Sequence, residues 1–326
     1  MLAGGNGSVQ KQSLRNYLAI ARFDHWIKQI FIMPGVAVCF ALMGLPVDNG
    51  FLIQLGINLA LGFFATSAVA SANYVINEYL DTSFDRYHPT KKFRSAVLTQ
   101  LNPTIVYTEY GMFATVGLVL AWFVNRQFFL ANLWLLVMGI LYNVRPIRMK
   151  DIPYIDVLSE SINNAIRLLL GWFIITSDYL PPVTIVLGYW MGGAFLMTVK
   201  RFSEYRMIAD KTIAALYRKS FAHYNEKSLL ISGIFYALLS IFFCGIFMIK
   251  YRIELLIAIP LFCGLFCYYL NIAYKEDSSA QKPEKLFKEK GLMLLVTITI
   301  IVTIAMMFID VPPLKTLLDT TFIGTG

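Results

Sequence analysis

Charged residues and cysteines are scarce in this sequence. Only 15% of its 326 residues are charged and 57% are hydrophobic, whereas a soluble domain carries about 25% charged residues. This shortage of charge excludes a soluble globular protein and predicts a polytopic membrane protein. Four cysteines lie in apolar runs without the spacing of metal ligands: Cys39, Cys244, Cys263 and Cys267. We therefore expect neither a zinc site nor a disulfide framework.

Several motifs of known enzymes and transporters are missing as well. The sequence has no Walker-type glycine loop, no G-x-S-x-G elbow and no transporter-like pair of broken helices. Residues 1–26 are polar and basic, so we expect no cleavable signal peptide there. The net charge of +8 does not predict a nucleic-acid partner, because the basic residues lie between hydrophobic runs, where membrane orientation explains them.

Long apolar runs, by contrast, are abundant. A helix needs about 20 mostly apolar residues to span a membrane. The runs of this kind cover residues 27–46, 52–76, 104–124, 127–143, 154–176, 183–199, 228–249, 253–274 and 291–312. We therefore predict an all-α fold with nine transmembrane helices around a central cavity.

The basic residues between these runs are distributed unequally. Most of the 28 Lys and Arg residues lie before the first run or after an even-numbered run, which predicts that those segments are cytoplasmic. The predicted organisation is a cytoplasmic tail with an amphipathic lead-in helix (1–26), one transmembrane catalytic domain (27–312) and a short extracytoplasmic tail (313–326). We expect a bacterial-type inner membrane and an active site that faces the cytoplasm.

An acidic stretch follows the second apolar run. If the helix continues, Asn77, Asp81 and Asp85 lie on one face at i, i+4 and i+8, with Glu78 beside them. Carboxylates on one face repel each other, and such oxygen ligands suit Mg²⁺ held between carboxylates and substrate phosphates. Basic residues that can bind phosphate come next: His88, Lys91, Lys92 and Arg94. The alternative is a solvated helix end of mixed charge.

A second stretch of this kind follows the fourth run. Asp156 and Glu160 are four residues apart, and Asn164 and Arg167 continue along nearly the same face. Arg148 and Lys150 precede them. Two acidic clusters facing each other can hold Mg²⁺ on a diphosphate, so Asp156 is predicted to join Asp81 and Asp85. The alternative is a salt-bridge network that only holds helices together.

Two further basic residues end the sixth run. Lys200 and Arg201 can bind a substrate phosphate, and they can equally be ordinary anchors at the membrane surface. The three histidines, His25, His88 and His223, are too scattered to predict a zinc site. Of these, only His88 is expected in the pocket.

These motifs resemble the UbiA superfamily of intramembrane prenyltransferases. The first motif of that family, N-D-x-x-D-x-x-x-D, is similar to Asn77, Glu78, Asp81 and Asp85, with Glu in place of one Asp. The second motif, typically D-x-x-x-D, is similar to Asp156 with Glu160. The resemblance covers about residues 16–312 and implies nine membrane helices with the acidic motifs on the cytoplasmic side.

One branch, the decaprenyl-phosphate phosphoribosyltransferases, looks closer than the others. HPTKKFR, after the first motif, is similar to H-P-T-K-R-F-R of that branch, and FDHWIKQ, which contains Lys28, looks like its Q-W-x-K-N segment. KRFSE (200–204) resembles its G-K-R-x-x-E element, and YRKSFAHY resembles L-R-x-x-L-x-x-Y. Ser95 departs from the branch, which has Pro there, and RPIRMKDIPYIDVLSE looks more like other branches.

The branch implies transfer of phosphoribose from phosphoribosyl pyrophosphate to a polyprenyl phosphate lipid, with release of Mg-bound pyrophosphate. An alternative is prenyl transfer from a polyprenyl diphosphate to an aromatic or apolar acceptor, and a second alternative is a non-enzymatic lipid or ion transporter. The expected catalytic and metal-binding residues are Asp81, Asp85 and Asp156. The residues expected to bind substrate are Lys28, Asn77, His88, Lys91, Arg94, Arg148, Lys150, Glu160, Asn164, Arg167, Lys200 and Arg201.

Overall fold

The computed structural model describes residues 13–44, 47–208, 210–275, 278–281 and 286–318. Every secondary-structure element in these residues is a helix of the α or 3₁₀ type, which confirms the all-α prediction. Residues 1–12 of the predicted cytoplasmic tail and residues 319–326 of the predicted extracytoplasmic tail lie outside the described residues.

We number the described α-helices in chain order. They are α1 (Leu14–Ile20), α2 (Met33–Met43), α3 (Asn49–Leu80), α4 (Thr82–Asp85), α5 (Ser95–Leu98), α6 (Pro103–Val124), α7 (Arg126–Asn143), α8 (Ile155–Ile175), α9 (Val183–Ile208), α10 (Lys211–Tyr217), α11 (Glu226–Tyr251), α12 (Ile259–Ala273), α13 (Lys290–Phe308) and α14 (Pro312–Leu318). Among the 3₁₀ segments, Phe23–Ile32 joins α1 to α2, Lys219–Ala222 follows α10, and Ile253–Ala258 leads into α12.

Seven helical segments in the described residues are long and apolar enough to cross a membrane. They are Leu14–Met43, Asn49–Leu80, Pro103–Val124, Val183–Ile208, Glu226–Tyr251, Ile253–Ala273 and Lys290–Phe308. The predicted count of nine is therefore not confirmed. The other two predicted spans form α7 and α8, which are too polar to qualify: α7 begins at Arg126 and ends at Asn143, and α8 carries Asp156, Glu160 and Arg167.

The chain forms two compact units, which we describe separately. The first unit comprises the described residues of Met1–Val36, Pro46–Tyr179 and Ile208–Tyr224, and the second comprises those of Ala37–Leu45, Leu180–Met207 and Asn225–Gly326. The chain thus passes between the units several times. The predicted central cavity and the single domain at 27–312 stay predictions.

Helix α3 is the main element of the first unit. Its 32 residues give it a length of about 48 Å, which exceeds the hydrocarbon core of about 30 Å. It packs closely along α6, where a Cβ on Gly117 would lie 2.7 Å from Val69 Cγ2 and 2.9 Å from the carbonyl oxygen of Ala65. The absence of a side chain at this glycine therefore permits the close approach of α3 and α6.

The starts of several helices follow from their local sequence. The side chains of Asp48, Asn102 and Asn125 accept hydrogen bonds from backbone N–H groups in the first turns of α3, α6 and α7. Asn225 forms a capping box with Ser228 at the start of α11. These side chains satisfy donors that a helix start leaves without partners.

The second unit contains α9 and α11–α14. Ser240 on α11 donates a hydrogen bond to the carbonyl oxygen of Gly188 on α9 at 2.8 Å. Near its last turn, α9 also holds a buried ion pair, in which Arg201 Nη1 lies 3.3 Å from Glu204 Oε2. Arg201 is fully buried, so its guanidinium needs this carboxylate as a counter-ion.

Candidate active site

The acidic stretch lies where α3 ends and α4 begins. The backbone N–H of Asp81 bonds to the carbonyl oxygen of Asn77 at 3.0 Å, and that of Asp85 bonds to the carbonyl oxygen of Asp81 at 2.8 Å. The i to i+4 pattern therefore continues although α3 itself ends at Leu80. Asn77, Asp81 and Asp85 keep the helical spacing that the sequence predicted.

Two cations of the segment between α7 and α8 bind the carboxylate of Asp81. Arg148 Nη2 lies 2.8 Å and Lys150 Nζ 2.5 Å from Asp81 Oδ1. Lys150 Nζ also donates to Asn143 Oδ1 at 2.6 Å and to Asn77 Oδ1 at 3.1 Å. Three side-chain oxygens therefore converge on a single cationic group, one from α3, one from Asp81 just after α3, and one from α7.

The pKa values of this pair reflect burial and mutual attraction. Burial by itself raises the pKa of Asp81, but the charges of Lys150 and Arg148 outweigh it and hold that pKa below its usual range. Burial lowers the pKa of Lys150 to about 8, against the opposing attraction of Asp81. Asp81 is therefore ionised at neutral pH, and the pKa of Lys150 lies close to neutral pH.

Arg94 joins the other two acids of the stretch. Its Nη1 lies 2.8 Å from Asp85 Oδ2, and its Nε lies 3.7 Å from Glu78 Oε1. Burial raises the pKa of Asp85, and the charge of Arg94 opposes that effect. Burial lowers the pKa of Arg94, but Glu78 and Asp85 outweigh it, so the net shift is upward. Arg94 thus stays charged and holds two acids together.

His88 and Lys91 meet Tyr217 at the end of α10. The His88 ring packs edge-on against the Tyr217 ring with 4.6 Å between the centroids, and Lys91 Nζ donates to the Tyr217 hydroxyl. His88 Nδ1 accepts from the backbone N–H groups of Thr90 and Lys91, both at 3.2 Å. These contacts fix Lys91 beyond Asp85, on the segment that precedes Arg94.

Asp156 lies in a different environment from Asp81 and Asp85. It is fully buried. Its Oδ1 accepts from the Tyr224 hydroxyl at 2.7 Å, its Oδ2 accepts from Ser220 Oγ at 3.1 Å, and Arg218 Nη1 lies 3.7 Å from Oδ2. The sequence predicted an acid that binds metal, whereas the structure holds this carboxylate in contacts with the segment after α10.

Glu160 is linked to the same segment through a tyrosine. Its Oε2 accepts from the Tyr142 hydroxyl at 2.8 Å, and that hydroxyl accepts from Arg218 Nη1 at 3.3 Å. Asn164, one turn further along α8, is partly buried. The second predicted cluster therefore joins α7, α8 and the end of α10.

Lys28 and Arg167 belong to the region around the 3₁₀ segment Phe23–Ile32. Lys28 Nζ lies 3.0 Å from His25 Nδ1. Arg167 Nε donates to Gln29 Oε1 at 3.0 Å, and its Nη1 donates to the carbonyl oxygen of Asn163 at 3.2 Å. The polar partners of Arg167 in this region are thus an amide side chain and a backbone carbonyl.

The structure thus brings together most predicted site residues of the first unit, in two groups around Asp81 and around Asp85. Lys200 and Arg201 belong to the second unit, where Arg201 pairs with Glu204. The sequence-based interpretation assigned no site role to a further set of polar residues in the first unit: Tyr142, Asn143, Tyr217, Arg218, Ser220 and Tyr224. The last four lie in YRKSFAHY, where the resemblance to L-R-x-x-L-x-x-Y was the available signal.

The donors at Asp81 fit a magnesium ion. Among the described residues, no group of three or more His, Cys, Asp and Glu side chains is placed to hold a metal ion. The oxygens of Asn77, Asp81 and Asn143 instead converge on the ammonium of Lys150, which shows that these groups can surround a cation. Hard oxygen donors in small number suit Mg²⁺ that takes its remaining ligands from substrate phosphates and water.

Comparisons with known proteins agree on one family and one fold. The UbiA prenyltransferase family matches residues 32–298. The decaprenyl-phosphate phosphoribosyltransferase of Mycolicibacterium smegmatis is 23% identical over 219 residues, 67% of this chain and 65% of the relative. The enzyme of the same name from Mycobacterium tuberculosis is 25% identical over 201 residues, 62% of this chain and 63% of the relative. The matches span just under two thirds of these relatives.

Solved structures of UbiA homologues share the fold. A homologue from Archaeoglobus fulgidus described as bound to GPP and Mg²⁺ has a TM-score of 0.65 at 19% identity, over 90% of this chain and 100% of the other. The same values hold for a structure described as bound to DMAPP and Mg²⁺. A homologue from Aeropyrum pernix has a TM-score of 0.60 at 15% identity, over 85% of this chain and 98% of the other.

Proposed function

The chain belongs to the UbiA prenyltransferase family, and from that premise we propose that it transfers phosphoribose from phosphoribosyl pyrophosphate to a polyprenyl phosphate. The motif resemblance is thereby confirmed at the level of the family, whose members are transferases. The curated relatives carry a name that describes this reaction with a decaprenyl phosphate. The donor, the acceptor and the residues that bind them are our proposal.

The observation that carries the proposal is the presence of two separate cationic groups beside the acidic stretch. Arg148 and Lys150 contact Asp81, while Arg94 contacts Asp85 and Lys91 contacts Tyr217. A prenyl diphosphate has one anionic group, whereas phosphoribosyl pyrophosphate has a pyrophosphate at one end and a 5′-phosphate at the other. Two groups of donors match two phosphate-bearing ends.

Asn77, Asp81 and Asp85 would hold Mg²⁺, together with the pyrophosphate of the donor. When bound, Mg²⁺ would supply neutralisation of the charge on the leaving pyrophosphate. Arg148 and Lys150 would then exchange their carboxylate partner for phosphate oxygens. Each charge-assisted hydrogen bond gained in this way contributes about 1.5–3 kcal/mol. Asp156, being fully buried, is proposed to position the segment around Arg218.

The remaining predicted residues are proposed to contact the two substrates. His88, Lys91 and Arg94 would orient the 5′-phosphate, and Lys28 with Arg167 would bind the phosphate of the acceptor lipid. An oxygen of that phosphate attacks C1 of the ribose, a C–O bond forms, and the bond from C1 to pyrophosphate breaks. The protein contributes orientation and charge neutralisation. Glu160, Asn164, Lys200 and Arg201 stay predicted substrate contacts.

Prenyl transfer is the second candidate. The structural neighbours described as bound to GPP and DMAPP with Mg²⁺ favour it, since an acidic stretch with Mg²⁺ serves any diphosphate leaving group. In this alternative, the cations around Lys91 have no second phosphate to bind. For either reaction we propose an active site that faces the cytoplasm in a bacterial inner membrane.

A radiolabel transfer assay tests the proposal. Purified protein in lipid nanodiscs receives labelled phosphoribosyl pyrophosphate with a polyprenyl phosphate, and separately labelled geranylgeranyl diphosphate with aromatic acceptors. We expect label in the lipid phase only in the first reaction, and only with Mg²⁺. Activity confined to the second reaction would overturn the choice of donor and leave the family assignment intact.

A further inference from the structure

Arg148 has an acceptor at each nitrogen of its guanidinium group. Its Nη2 lies 2.8 Å from Asp81 Oδ1, and its Nε lies 3.2 Å from Asp151 Oδ1. Its Nη1 donates to the carbonyl oxygen of Asn143 at 3.3 Å, and its Cζ lies 4.6 Å from the centroid of the Phe84 ring. The direction of this side chain is therefore fixed by several independent contacts.

The backbone conformation of Arg148 depends on the same neighbour. Arg148 has a positive φ of 29°, which is costly for a residue with a Cβ atom and persists where surrounding contacts fix it. The backbone N–H of Asp151 donates to the carbonyl oxygen of Arg148 at 3.0 Å, and the Asp151 side chain reaches back to Nε. Asp151 therefore fixes both the main chain and the side chain of Arg148.

The acceptors of Arg148 differ in what happens to them in the proposed reaction. Asp81 would bind Mg²⁺ and leave Nη2 to a phosphate oxygen, whereas Asp151 would keep its contact with Nε. The second oxygen of Asp151 lies 3.6 Å from Lys219 Nζ. Because the Lys219 side chain is 52% exposed, this ion pair contributes little, and Arg148 is the main partner of Asp151.

A fixed arginine binds phosphate better than a mobile one. A long side chain that becomes ordered on binding loses rotamer entropy, and a side chain that is already ordered avoids this cost. The planar guanidinium also has to present its N–H groups in the correct direction to phosphate oxygens. An acid near a phosphate site weakens anion binding by repulsion, so Asp151 must act on Arg148 strongly enough to outweigh that effect.

We propose that Asp151 is a positioning residue of the transfer reaction, which holds Arg148 at Nε so that Nη2 stays directed at the pyrophosphate. The inference rests on the proposed function, but only on its leaving group, because pyrophosphate leaves in phosphoribosyl transfer and in prenyl transfer alike. Asp151 was not among the predicted site residues. It lies directly after Lys150 in the sequence and pairs with a cation of the site.

Binding of radiolabelled pyrophosphate tests the proposal without turnover. Purified full-length protein in lipid nanodiscs is titrated at a fixed Mg²⁺ concentration. Asp151→Ala should raise the Kd about three- to tenfold, since part of one charge-assisted hydrogen bond from Arg148 is lost. Asp151→Asn should raise it less, because the amide oxygen can still accept from Nε. If Asp151 acted only through its negative charge, both variants would bind pyrophosphate more tightly, and that result would overturn the proposal.

A double-mutant cycle shows whether Asp151 acts through Arg148. In an Arg148→Gln background, Asp151→Ala should no longer raise the Kd, because the group that it positions is absent. An equal increase in both backgrounds would contradict the positioning role. Lys219→Gln removes the other partner of Asp151 and should leave the Kd unchanged. An increase as large as that of Asp151→Ala would overturn the assignment of Arg148 as the group through which Asp151 acts.

Thermal unfolding separates positioning from stability. The Asp151 side chain is 21% exposed, so Asp151→Ala and Asp151→Asn should both unfold close to the wild-type temperature although their Kd values differ. If Asp151→Ala fails to fold, Asp151→Ser, whose side chain is one atom shorter than that of Asn, takes its place. A wild type that binds no pyrophosphate would overturn the proposed function together with this inference, whereas equal Kd values of the wild type and Asp151→Ala would overturn the inference alone.

Discussion

Replacement of Asp156 by alanine should destabilise the protein strongly, because this carboxylate connects α8 to the segment after α10. It is fully buried, accepts from Ser220 and Tyr224 at 3.1 and 2.7 Å, and lies 3.7 Å from Arg218. Removing one partner of a buried ion pair costs about 3–5 kcal/mol. For a chain of this size, that loss lowers the Tm by roughly 10 °C.

Thermal unfolding of the purified protein measures this effect. Tyr224→Phe removes the hydrogen bond to Asp156 and the one that the Tyr224 hydroxyl accepts from the backbone N–H of Tyr154. It should lower the Tm by at least roughly half as much, since one hydrogen bond to a charged group contributes about 1.5–3 kcal/mol. The half-saturating Mg²⁺ concentration supplies the second readout. The residual activity of Asp156→Asn should show the wild-type half-saturating Mg²⁺ concentration, whereas Asp81→Asn should abolish transfer.

The opposite pattern would refute this reasoning. If Asp156→Ala unfolded at the wild-type temperature while Asp156→Asn needed far more Mg²⁺, Asp156 would be a metal ligand, as the sequence predicted. A normal Mg²⁺ requirement in Asp81→Asn would remove the central donor from the proposed metal site. The two readouts thus separate a metal ligand from a residue that positions its neighbours.

Two further outcomes are expected from matched substitutions. Lys91→Ala should raise the KM for phosphoribosyl pyrophosphate about tenfold, because it removes one charge-assisted hydrogen bond. Lys92→Ala, at an exposed position, should leave that KM unchanged. Equal KM values for the two variants in a steady-state assay would contradict the role of Lys91. Gly117→Ala should destabilise the protein by about 1–3 kcal/mol, because the added methyl group overpacks against α3. Gly111→Ala on the same helix has no atom within 4 Å of the added Cβ, so it should leave the Tm unchanged or raise it. Similar Tm values for the two variants would contradict the close packing of α3 and α6.

Hydropathy and local spacing predicted the helices and the acidic stretch well. Asn77, Asp81 and Asp85 keep the spacing read from the sequence, because one helical repeat governs all three and needs no distant contact. The predicted count of nine spans is not confirmed. The helix α8 is 21 residues long, but its polar residues keep it out of the group of helices that are apolar enough to cross a membrane.

Contacts between distant residues could not be predicted in this way. The sequence places Asp156 and Glu160 one turn apart, but it does not show that Ser220 and Tyr224 fold back onto Asp156. The same holds for Lys150, whose ammonium binds Asn143 at the end of α7 and Asp81 just after α3. Hydropathy describes a helix and its surroundings in lipid, whereas these partners are selected by the tertiary fold.

The separation between Asp156 and Tyr224 has a consequence for biosynthesis. Sixty-eight positions divide the two residues that share this hydrogen bond. At 5–20 residues per second, the ribosome needs roughly 3–14 s to make the intervening chain. During that interval the rest of α8 and all of α9 are synthesised, while the carboxylate of Asp156 lacks the tyrosine. Most of α9, up to Met207, belongs to the other unit. This hydrogen bond can therefore form only after chain that belongs to the other unit has been made.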